Sequence, residues 1–104
     1  MQLNEYQTKA AEFARYPEKY GPIYPTLGLM GEAGEVCEKI KKHLRGDGPL
    51  NIEDIKKELG DVLWYLSNLS RELGITLEDV ATTNIAKLAD RRARSVLKGS
   101  GDNR

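Results

Sequence analysis

NIEDIKKELGDVLWYLSNLSRELG, residues 51–74, decides the fold class. Ile55, Leu59, Val62, Leu66, Leu69 and Leu73 recur at alternating spacings of four and three, the apolar seam of a helix packed in a bundle. Asn51 stands where a helix wants its N-cap, and Gly74 where it stops. A second stripe, Glu58, Asp61, Tyr65, Asn68 and Glu72, follows the same period. A rotation of about 100° per residue puts it beside the seam, not opposite. Polar groups there face the edge of the core or a cavity within it.

Working outward, three more helices are expected. The first opens at Asn4, with Gln7 three residues on in a capping-box arrangement, and runs to about Tyr16 before Pro17. Residues 17–25, with three prolines, read as a loop. The second helix spans Thr26 to Gly46, where RGDGP breaks it. Thr76 caps the fourth, Glu78 and Asp79 suit the positive end of its dipole, and it reaches about Leu97. There is no repeat and no strand-like alternation. The expectation is an all-α four-helix bundle over residues 1–98, with 99–104 a flexible tail.

Composition sets further bounds. Charged residues are 31% of the 104 and AVILMFWYC residues 39%, so the core is modest and completion by oligomerisation is expected. Sixteen basic and sixteen acidic side chains cancel, which argues against a nucleic-acid coat. One cysteine, Cys37, allows no internal disulfide and suits a reducing cytoplasm. No apolar run reaches membrane-span length, and the N-terminus lacks a signal-peptide layout. Trp64, Phe13 and Cys37 read as core, His43 as surface, and Glu38 as a surface partner of Lys41 or Lys42.

GLMGEAGEVCEK, residues 28–39, sets Gly28, Gly31 and Gly34 among Glu32, Glu35 and Glu38. Each helical glycine costs about 1 kcal/mol relative to alanine, so close approach of a neighbour is the expected return. Spacing alone fits a solvated acidic face. Position says more: Glu32 and Glu35 lie among small residues, while Glu58 and Asp61 flank LGDVLWYL. They meet if the second and third helices pair antiparallel in the right register, if these helices cross, or if another chain joins. Four carboxylates in a partly dry space cannot all stay ionised without cations. Oxygen-only ligands select Mg²⁺ or Mn²⁺. Iron is disfavoured, because the only histidine stands in no Glu-x-x-His spacing. On the fourth helix Asn84, Lys87 and Arg91 form a stripe of donors suited to phosphate oxygens.

GEAGEVCEKIKK, KKELGDVLWYLSNLSRELG and NIAKLADRR together resemble the MazG-like all-α nucleoside triphosphate pyrophosphohydrolases, as do the opening LNEYQ and YPTLGL. The family's E-x-x-E, gap, E-x-x-D pattern falls on Glu32, Glu35, Glu58 and Asp61, with 22 residues between the pairs. The resemblance implies Mg²⁺-dependent hydrolysis of a (deoxy)nucleoside triphosphate to the monophosphate and pyrophosphate. By it, the four carboxylates hold metal, and Asn84, Lys87, Arg91 and Tyr65 contact substrate. Homodimers or homotetramers with shared sites are implied too. Glu32 or Glu35 is the candidate base; Trp64, Tyr65 and Asn68 are candidates for the nucleobase, with Tyr6, Tyr16 or Tyr20 closing the pocket. The alternatives are a phosphoribosyl-ATP pyrophosphohydrolase-like enzyme and a non-catalytic helical dimerisation module. Nucleic-acid binding through the basic 87–98 end ranks last.

Overall fold

The computed structural model describes all residues except 96 and 97. It contains α1 (Leu3–Ala11), α2 (Ile23–Leu44), α3 (Ile52–Glu72) and α4 (Leu77–Ala93), with a 3₁₀ turn at Glu18–Tyr20. Among the described residues there is no strand, and the fold is the expected all-α one. α2 packs along α3 as the body of the molecule; α1 packs on α3, and α4 on α1.

Local chemistry explains the ends. The Asn51 side chain accepts from Asp54 N–H at 3.2 Å, and Thr76 Oγ1 from Asp79 N–H at 3.0 Å, so both expected caps form. α2 begins at Ile23, ahead of the expected Thr26. Pro25 sits in its first turn, where the missing N–H had no partner to lose. α1 is shorter than expected and ends at Ala11. The expected end of α4, Leu97, lies outside the described residues.

The capping box at Asn4 is corrected. Asn4 and Gln7 cap α4 instead of their own helix. Asn4 Oδ1 accepts from Glu78 N–H and Gln7 Oε1 from Leu77 N–H, each at 3.1 Å. Gln7 Nε2 also donates to Ile75 O at 3.0 Å. With Thr76 on Asp79, three of the orphan donors that open α4 have side-chain acceptors.

The interior is thin. Among the described residues the buried apolar side chains are Ala10 and Leu77, together with Pro25, and α3 turns the small polar Ser67, Asn68 and Ser70 inward. The Trp64 indole, half-buried, donates to Ala10 O at 3.2 Å. Leu59 and Leu73, expected in the seam, are 53% and 59% exposed. Phe13 is 70% exposed and Cys37 is exposed as well, so neither is core in the single chain. His43 is at the surface, as expected. The away-facing side of α2 carries Ile23, Leu27, Met30, Gly34, Cys37 and Leu44 in a bundle-like period, all exposed. Among the described residues no helix is long and apolar enough to cross a membrane.

Candidate active site

The α2–α3 hairpin resolves the register question within one chain. Gly28 meets Tyr65, Glu32 meets Asp61, and Lys39 meets Glu58, one number rising as the other falls. That is antiparallel pairing. One carboxylate oxygen from each of Glu32, Glu58 and Asp61 lies within 4.8 Å of the others. Glu32 and Glu58 are half-buried and Asp61 is exposed. Burial pushes the Glu32 carboxyl above its ordinary range, helped by the charges of Asp61 and Glu58, a hydrogen bond shared with Glu58, and Glu35. Lys39 Nζ stands 3.8 Å from Glu58 Oε1, a neighbour that sequence reasoning did not single out. Like charges crowded on one spot in an oxygen-only donor set fit a hard divalent cation.

Glu35, one turn further along α2, is exposed and outside this group. Glu38 takes the Lys41 ammonium at 2.8 Å, which holds its carboxyl below the ordinary range, as its reading as a surface partner expects.

Aromatic side chains wall the cluster. The Tyr65 ring lies against the α2 backbone at Gly28, where any Cβ would overlap it. A Cβ placed on Gly31 or Gly34 would meet nothing within 4 Å, so the close approach expected of all three glycines occurs at Gly28 alone. Burial pushes the Tyr65 hydroxyl up, as do Tyr24, Glu32 and Asp61. Tyr6, on the first helix, is also pushed up, by burial and then by Asp61. Tyr24, missed in the sequence, stacks on Tyr16 at 5.1 Å. Its one sequence signal was an aromatic one turn before Gly28.

Tyr16 donates its hydroxyl proton to Glu72 Oε1 at 2.7 Å and accepts from Arg71 at 3.1 Å. Burial and the Glu72 bond push it to about 12. Tyr16, Glu18, Arg71 and Glu72 line a polar cavity of about 420 Å³. Asn68 is buried, donating to Trp64 O at 3.0 Å and accepting from Arg71 at 3.1 Å. Tyr20 is exposed under Lys19 and stands apart.

Asn84, Lys87 and Arg91 lie on α4, which packs on α1. Lys87 and the buried Arg91 meet Asp102 from the chain end.

The family described as MazG nucleotide pyrophosphohydrolase domain matches residues 24–96, from the first turn of α2 past the end of α4. The Gene 37 protein of Mycobacterium phage L5 is 43% identical over 114 aligned positions, covering 100% of both chains. YvdC of Bacillus subtilis (strain 168) is 31% identical over 102 positions, covering 88% of this chain and 96% of its own. No solved structure shows a significant match.

Proposed function

We propose, from the premise that the chain belongs to the MazG nucleotide pyrophosphohydrolase family, that it hydrolyses a (deoxy)nucleoside triphosphate to the monophosphate and pyrophosphate. The observation that carries this reading is the meeting of Glu32, Glu58 and Asp61 within 4.8 Å, from two helices of one hairpin. These three would hold Mg²⁺, or Mn²⁺ in its place. Such an ion supplies charge stabilisation on the phosphate oxygens.

The chain's own groups do the rest. Glu35 stands beside the triad but outside it, so its carboxylate is free to orient the attacking water and take its proton. Glu32, inside the triad, is the ligand of the pair. Tyr65, fixed by Gly28, flanks the site and keeps bulk water from one side. Lys87, Arg91 and Asn84 bind the outer phosphates, and a second copy delivers them. The exposed period on α2 supports a homodimer or homotetramer that buries it. A cytoplasmic setting suits the lone thiol.

The test is a panel of ribo- and deoxynucleoside triphosphates, with phosphoribosyl-ATP included, scored by pyrophosphate release with and without Mg²⁺. Metal-dependent release from at least one substrate is expected. Silence across the panel from an intact oligomer sinks the enzyme and leaves an assembly module.

A further inference from the structure

We infer that residues 101–102 hold closed the phosphate site that Lys87 and Arg91 form on α4. The Asp102 carboxylate stands where the anion binds. The inference rests on Lys87 and Arg91 being phosphate ligands.

Two cations one turn apart converge on one acceptor. Lys87 Nζ is 3.0 Å from Asp102 Oδ1, and Arg91 Nη2 is 3.4 Å from the same oxygen. Arg91 Nη2 also donates to the main-chain oxygen of Asp102 at 2.7 Å and of Gly101 at 3.4 Å. The partners differ in how they are seated. The Arg91 side chain is 5% exposed and that of Asp102 is 82% exposed. The guanidinium lies covered, its hydrogen bonds going to the segment, while the carboxylate that reaches it stays open to solvent. Bonds from Lys87, then from Arg91, hold the Asp102 carboxyl below its ordinary range.

The closing segment is lightly held. Residues 98–103 are all exposed, and the half-buried Arg104 folds back on Gly101. Gly99 and Gly101 carry its turns at φ of +144° and +82°. An ion pair with one exposed partner adds little to the hold. A phosphate group brings about −1.5 to −2 charge and three strong acceptor oxygens to the same donors, against one carboxylate. Substrate therefore displaces Asp102, and the segment sets the concentration at which it does.

Calorimetric titration with inorganic pyrophosphate, free of divalent ions so that the carboxylates of α2 and α3 take no part, tests this on the full chain and its variants. Asp102→Asn should tighten binding about two- to fivefold. A chain ended at Lys98 should bind at least as tightly as Asp102→Asn, and Lys87→Ala should lose binding. Unchanged or weaker binding by Asp102→Asn overturns the closing role, even if the shortened chain fails to fold. Binding retained by Lys87→Ala overturns the site. In nucleotide kinetics Asp102→Asn should lower KM and leave kcat unchanged. Tighter pyrophosphate binding without hydrolysis of any nucleotide keeps the site and removes the proposed activity. Hydrolysis that is indifferent to Asp102 removes the closing role alone.

Discussion

The two faces of α2 are built on opposite plans. Toward α3, Gly28, Glu32 and Lys39 each have a specific neighbour, and the helix gives up propensity at Gly28 to seat one ring. Away from α3, Leu27 and Met30 are 67% and 69% exposed, and Gly31 and Gly34 face open space. One face is finished within the chain. The other is half of an interior. The same residue type, glycine, thus carries different meanings a turn apart: contact at one position, open space at the next.

The sharpest way to break this comparison is at the finished face. Asp61→Asn removes a carboxylate from the triad and should cut pyrophosphate release by about 10²-fold or more, with helicity unchanged. Near-normal turnover would move the chemistry elsewhere. On the unfinished face Leu27→Asp should turn the assembly into monomers in sedimentation velocity. Each copy loses about 1.5–3 kcal/mol of apolar burial there. An unchanged sedimentation coefficient would mean that the assembly uses another surface.

The glycines then set one face against the other directly. Gly28→Ala forces Tyr65 off α2 and should lower stability by about 1–3 kcal/mol in thermal melts, with activity falling alongside. Gly31→Ala meets open space in the single chain and should raise stability by up to about 1 kcal/mol. A drop at Gly31 instead would show that a second copy packs there.

Glu32 gives the smallest effect. Its folded-state value lies above the ordinary 4.5, so the folded chain binds that proton more tightly than the unfolded chain. The contribution to stability is complete below 4.5 and fades as pH rises through the raised value. Metal-free melts should show this decline, and Glu32→Gln should flatten it. Mg²⁺ added near neutral pH should raise the melting temperature of the parent and not of the variant. A parent profile as flat as the variant's would remove Glu32 from the crowded spot.

What was legible in the sequence was local. Asn51 and Thr76 cap the helices they precede, because a short side chain reaches only two or three residues on. The E-x-x-E and E-x-x-D pairs stood out, but helical spacing says nothing of the register between two helices. The turn at 45–51 fixed that. Asn4 and Gln7 were misread for a physical reason: an amide accepts from any exposed N–H, and those of α4 were brought within reach. Phe13 and Cys37 were assigned to an interior on hydrophobicity, which is sound for a chain that closes its own core. This chain leaves much of that closure undone.

The hold of Asn4 and Gln7 on α4 joins residues 70 and more positions apart. α4 cannot gain its full set of caps until α1 has docked. The two helices therefore order late and together, in a step governed by closure of a long loop and not by helix formation. They should also open as one unit. Amide protons at 77–79 and in α1 would then exchange with solvent at matching rates, slower than the chain ends and faster than the α2–α3 hairpin.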